Sequence, residues 1–212
     1  MKNLNTYIQE NICVNERLII THYKSYSCAP TSKQELYSIL IERLADDPNA
    51  DLNDIDVSNI TDMSDLFFRL NPHNINISRW DVSKVEDMNN MFAYCENFDS
   101  NLSDWDISKV KDTRSMFYRC ENFNSDLSRW DVSNIKNMYC MFCDCLKFNS
   151  DLSRWDVSNV RYMYEMFYYC KNFNSDLSTW NVSKVEDISR MFERCDSMKK
   201  LPKWFHYSIY EK

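Results

Sequence analysis

Apolar and polar positions along most of this chain follow two rhythms in succession, and the pair of rhythms returns every 25 residues. In LSDWDIS, residues 102–108, Trp105 and Ile107 alternate with Asp104, Asp106 and Ser108. Alternation places the apolar pair on one face of a short strand. Val110, Thr113, Met116, Phe117 and Cys120 then follow at helical spacing. Val85, Met88, Met91, Phe92 and Cys95 repeat that stripe, as do Val160, Met163, Met166, Phe167 and Cys170. Such a stripe predicts a helix of about three turns with one apolar face. The serines ahead of it, Ser83, Ser108, Ser133, Ser158 and Ser183, are its expected N-caps. Ser83-x-x-Glu86 and Ser183-x-x-Glu186 have capping-box form. Phe123 and Leu127 are placed to anchor the loop that returns to the next strand.

The register is strict. FNSDLSRWDVSN occurs at 123–134 and again at 148–159. Three residue types keep the same phase: Trp80, Trp105, Trp130, Trp155 and Trp180; Phe92, Phe117, Phe142, Phe167 and Phe192; Cys95, Cys120, Cys145, Cys170 and Cys195. One unit earlier, Ile55, Phe67 and Leu70 hold these positions, and beyond the last unit Trp204 follows Trp180 one residue early. Units therefore begin near 55, 80, 105, 130, 155 and 180. A strand–turn–helix unit cannot bury its apolar face alone, so the repeat predicts stacked units with a parallel sheet along one side and the three residue ladders in the core. Ser32-x-x-Glu35 ahead of Leu36, Ile39, Leu40 and Leu44 predicts a capped helix. The organisation read from these patterns is an N-terminal helical cap over 1–50, repeats over 51–198 and a C-terminal cap over 199–212. RLIITHY at 17–23 reads equally as a strand or a buried helix edge, and LPKWFHYSIY at 201–210 as a lid.

Composition narrows the chemistry. The chain has no glycine, where ordinary usage of about 7% would supply roughly fifteen in 212 residues. A phosphate-cradling glycine loop is thereby excluded, and turns that need positive φ are expected to fall on Asn or Asp. Net charge is −7 without a basic stripe, which argues against nucleic acid and anionic lipid. No stretch approaches the eighteen or so apolar residues of a membrane span. The first residues show no basic region followed by an apolar one, so the expected compartment is cytoplasmic, with a surface or secreted location as the alternative. Nine cysteines, an odd number, fit reduced thiols rather than a disulfide framework.

Each candidate site has a plain structural counterpart. Asp81, Asp106, Asp131, Asp156 and Asn181 would stack on a parallel sheet and repel, a strain that a bound cation or basic partner would relieve; but Asn181 keeps the acceptor and drops the charge, which favours Asx turns. Cys140-x-x-Cys143-x-Cys145 contains a metal-like spacing, yet zinc needs ligands in tetrahedral reach, and Leu70 in the ladder position favours core thiols. No metal or cofactor is expected. The histidines, His22, His73 and His206, sit in unrelated contexts and suggest no catalytic triad. Tyrosine is more informative. Tyr162, Tyr164, Tyr168 and Tyr169 occupy positions that other units mostly fill with polar residues, and with Tyr139 and Tyr118 they are candidates for an exposed recognition patch.

The run Leu102-x-x-Trp105-x-Ile107-x-x-Val110 can be laid on the leucine-rich-repeat pattern, with Val110 where that family has Asn or Cys. The fuller text at 123–142, FNSDLSRWDVSNIKNMYCMF, resembles the BspA-like, leucine-rich-repeat-related surface protein family, whose 25-residue unit was first grouped from Mycoplasma lipoproteins. The resemblance covers about 52–198. Family units often carry glycine before the Met-Phe pair, and this chain does not. The fold it implies is α/β, a leucine-rich-repeat-like right-handed solenoid of strand–turn–helix units. The implied work is loosely adhesion or protein binding, with no catalytic residues to carry over. The expected function is a non-enzymatic repeat scaffold for an unknown protein partner, for which net charge −7 suggests basic character, and the stack ends offer a route to self-association. A secreted or cell-surface adhesin is the alternative.

Overall fold

A computed structural model describes residues 26–205. RLIITHY, the end of LPKWFHYSIY, His22 and His206 lie outside the described residues. Ser32 opens α1 (Lys33–Asp46) by accepting a hydrogen bond from the Glu35 N–H at 3.2 Å. The reciprocal contact is shifted by one residue, because the Glu35 carboxylate takes the N–H of Thr31 at 2.8 Å. Leu36 and Leu40 enter the core, with Ile39 and Leu44 packed at its margin. Lys33 joins α1 to the first unit through Asp62 at 2.8 Å and the Ser64 hydroxyl at 2.6 Å.

The expected strand–turn–helix solenoid does not form. Among the described residues α1 is the one helix, there is no sheet, and seven parallel bridges are each a single isolated residue pair. Each unit is instead a succession of tight turns. In LSDWDIS the Trp105 N–H folds back to the Leu102 carbonyl and the Val110 N–H to Ile107, so two turns interrupt the segment before a strand can extend.

The helical stripe fails for a different reason. Val110, Thr113, Met116, Phe117 and Cys120 are all fully buried, as their spacing requires. However, the N–H groups of Met116, Tyr118 and Cys120 bond three residues back, whereas those of Thr113, Ser115, Phe117 and Arg119 bond to Asn137, Tyr139, Met141 and Cys143 of the next unit. A helix would consume every one of these donors within itself. Here alternate donors tie successive units together, and neighbouring units repeat the pattern, as from Met88, Asn90, Phe92 and Tyr94 to Asp112, Arg114, Met116 and Tyr118. Each such bond contributes about 0.5–1.5 kcal/mol net. Without helices, the serines at 83, 108, 133, 158 and 183 are not N-caps.

Alternating donors require the chain to reverse hand every few residues. Positive φ recurs immediately before Met-Phe, at Asn90, Ser115, Cys140, Glu165 and Arg190, and again before the ladder cysteine, at Tyr94, Arg119, Asp144, Tyr169 and Arg194. The expectation that Asn and Asp would take these positions is corrected. Among the described residues, nine of the thirteen with left-handed backbone are Arg, Tyr, Ser, Cys or Glu. Each costs about 1–2 kcal/mol relative to a right-handed conformation, and packing of the stack offsets it.

That packing is aromatic. Trp80 and Trp105 lie 6.5 Å apart with planes 5° from parallel, Trp130 and Trp155 are 6.5 Å apart, and Trp155 and Trp180 6.4 Å. Trp204 extends this row at 6.3 Å in spite of its one-residue offset. Phe92, Phe117, Phe142 and Phe167 follow one another at 5.6–5.7 Å. A second phenylalanine row from the return loops, Phe98, Phe123, Phe148 and Phe173, stacks at 5.7–5.9 Å. The two phenylalanine rows touch at 4.0–4.1 Å within each unit. Ring offsets of this kind add about 0.5–1.5 kcal/mol per pair beyond area burial.

The polar ends of the ladder residues are matched to the preceding unit. Trp105, Trp130, Trp155 and Trp180 donate their indole N–H to the carbonyls of Ile77, Leu102, Leu127 and Leu152 at 2.9–3.1 Å. The thiols of Cys95, Cys120, Cys145, Cys170 and Cys195 donate to the carbonyls of Phe67, Phe92, Phe117, Phe142 and Phe167 at 2.8–3.0 Å. Ladder cysteine is thus a small hydrophobe with one useful donor. Burial raises these thiols, to about 12 for Cys95 and Cys195.

Candidate functional site: a tyrosine-bearing face

Corners set what each unit shows to solvent. Asp81, Asp106, Asp131, Asp156 and Asn181 each accept, through Oδ1, the N–H of the serine two residues on, at 3.0–3.1 Å. These carboxylates close turns and are not gathered around a common point. Asp106 and Asp156 are held below the usual carboxylate range, chiefly by the serine hydroxyl and then by the serine N–H. A second corner uses Asn101, Asp126, Asp151 and Asp176 in the same way.

At a third corner the pattern breaks. Asp62, Asp87, Asp112, Asn137 and Asp187 again bond the N–H two residues on. The bridge chain links them in order through Tyr162, which has no such acceptor. Tyr162 is 42% exposed, and its hydroxyl donates to the Glu186 carboxylate at 3.1 Å. That carboxylate raises the Tyr162 phenol. Arg161 pairs with the same glutamate at 2.7 Å.

Beside Tyr162, Tyr139 and Tyr164 stack across two units with centroids 5.4 Å apart and planes 8° from parallel. Together with Arg114, Asn137 and Asp187 these three tyrosines line an open depression. Arg190 extends the surface: its guanidinium donates to the Tyr164 hydroxyl at 3.2 Å and lies over the Tyr168 ring at 4.9 Å. Tyr168 and Tyr169 are 6.2 Å apart, with the Lys171 ammonium over Tyr169 at 4.6 Å. Tyr118 belongs to a neighbouring group, edge-on to Tyr94 at 5.1 Å. Burial pushes Tyr118 and Tyr139 up to about 12, so both remain neutral phenols. The six tyrosines are therefore one run of five plus Tyr118, of which Tyr139 and Tyr162 are the most exposed.

Cysteine spacing misleads at one place. Cys145 points into the core, whereas Cys140 and Cys143 turn toward Glu165 of the next unit, the ligand atoms of all three lying within 4.8 Å of one another. The Cys140 thiol is 3.4 Å from Glu165 Oε2, and Cys143 lies 3.9 Å from Asp144 Oδ2. Its contact with Cys140, followed by burial, raises the Cys143 thiol. The signal in the sequence was the offset from Cys140 to Glu165, one full period, hidden because the two residues differ in type.

Two matches to one family model, over residues 41–150 and 125–209, together cover most of the chain. It belongs to that family, described as Mycoplasma protein of unknown function, DUF285. No curated protein and no solved structure matches it. No helix among the described residues is long and apolar enough to cross a membrane.

Proposed function

We propose that this protein is a non-enzymatic repeat scaffold that binds another protein through its tyrosine-bearing face. The observation that supports the reading most is exposed Tyr139 stacked on half-buried Tyr164 with exposed Tyr162 beside them, Tyr162 standing at the corner where the other units carry Asp or Asn. Tyrosine offers large contact area at low entropic cost together with a polar tip, the combination concentrated in binding hot spots. The face mixes Asp187 and Glu186 with Arg114, Arg161 and Arg190, so a partner segment carrying basic as well as aromatic groups would find complementary sites. Ring stacking and backbone hydrogen bonds between successive units underlie this face, which favours a preorganised surface for a partner.

The test is affinity capture from cells of the native host on the full chain and on a variant with Tyr162, Tyr164, Tyr168 and Tyr169 changed to Ala. Circular dichroism confirms that the variant keeps its fold. Selective loss of one partner, reproduced with the purified pair, is the expected result; equal recovery of every protein on both chains removes the proposal. Protease accessibility on intact cells separates the cytoplasmic scaffold from the surface adhesin that the family resemblance also permits.

A further inference from the structure

We propose that Cys140, Cys143 and Glu165 form a binding site for a thiophilic divalent cation, zinc by its chemistry. Three features point to it. First, these thiols are not ladder residues. The equivalents of Cys140 are Asn90, Ser115, Glu165 and Arg190, and those of Cys143 are Ala93, Tyr118, Tyr168 and Glu193, so packing of the repeat does not call for cysteine at either place. Second, the spacing suits the ion. Zn–S of about 2.3 Å and Zn–O of about 2.0–2.2 Å at tetrahedral angles put sulfur and oxygen ligands roughly 3.5 Å apart. Cys140 Sγ and Glu165 Oε2 are 3.4 Å apart, and all three ligand atoms fall within 4.8 Å. Third, the carboxylate is already oriented. Arg190 holds Glu165 through Oε1, leaving Oε2 toward the thiols, as the outer partners of metal ligands do.

Charge is consistent with this assignment. Two thiolates and the Glu165 carboxylate would carry three negative charges in a largely buried place; a dication offsets two of them, and Arg190, which also pairs with Glu193 at 2.8 Å, faces the third. Sulfur donors select zinc over magnesium or calcium, which take oxygen. The three ligands come from two consecutive units, with Cys140 directly after Tyr139 and Glu165 directly after Tyr164 in sequence. A bound ion would therefore clamp these units at the stacked tyrosines. The fourth position is open to water or to Asp144, whose Oδ2 lies 3.9 Å from Cys143 Sγ.

The experiment titrates Co²⁺ and then Zn²⁺ into the full chain, stripped of metal and held reduced with a phosphine. One equivalent of Co²⁺ should bind with a thiolate-to-metal charge-transfer band that Zn²⁺ abolishes. Saturating zinc should raise the melting temperature by about 5–10 °C when present at roughly 100 times its dissociation constant. The Cys140→Asn, Cys143→Ala double variant takes letters that another unit already tolerates at Asn90 and Ala93, so it should fold. It should lose the band and at least about 100-fold in affinity, while Glu165→Gln loses about tenfold. Cys28→Ser should change neither. The proposal is overturned by absence of a charge-transfer band in the reduced wild-type chain. It is equally overturned by a band and a stoichiometry that survive in the double variant.

Discussion

Replacing Ser115 with glycine should stabilise this protein, and the size of the gain follows from its backbone. Ser115 has φ of 52°, one of the left-handed positions directly before Met-Phe. A residue with a Cβ pays about 1–2 kcal/mol there. Glycine removes that penalty but gives back about 0.5–1 kcal/mol through greater freedom in the unfolded chain. The net expectation is a gain of roughly 0.5–1 kcal/mol, or about 1–4 °C in melting temperature for a chain of this size. Arg114→Gly, one residue earlier and outside the left-handed region, supplies the control and should lose about 0.5–1 kcal/mol. Ser115→Val places a branched Cβ in the same region and should lose more than 1 kcal/mol. Thermal and urea unfolding of the three variants gives the comparison. A neutral or destabilising Ser115→Gly alongside a tolerated Ser115→Val would refute the alternating-hand description of each unit.

Other predictions concern the ladders and corners. Trp130→Phe removes the indole donor to the Leu102 carbonyl at 2.9 Å and leaves a gap, so urea unfolding should show a loss of about 2–4 kcal/mol; Trp204→Phe, half-buried at the end of the row, should cost less. Asp112 is raised mainly by burial, so its ionised form is a penalty that exists above its folded-state pKa and disappears below the unfolded value near about 4. Asp112→Asn, which keeps the turn acceptor as Asn137 does, should therefore raise the melting temperature at pH 7 but not at about pH 3, and a gain that persists in acid would count against burial as the cause. Asp106, Asp126, Asp151 and Asp156 have the opposite sign: their depressed folded-state values contribute stability above about pH 4 that is lost as pH falls through them. Melting curves should accordingly fall steeply on acidification below about pH 4, and Asp156→Asn should make that fall shallower.

The sequence by itself determined the period and the residues that enter the core. Trp, Phe and Cys at fixed phase are buried because identical units laid on one another put like residues together, and that requires only the repeat. Asx turns at the acidic corners were equally readable, since Asn181 could replace aspartate without loss of the acceptor. What tertiary structure alone decided was where the backbone donors go. A spacing of three and four residues fits a helix and a run of three-residue turns alike. The choice rests on N–H groups such as those of Ser115 and Arg119 finding Tyr139 and Cys143 in the next unit, about a full period away. The same contact between units brings Glu165 to Cys140 and Tyr164 to Tyr139. Hydrophobic spacing records which side chains leave water, but it carries no record of which carbonyl a buried N–H meets.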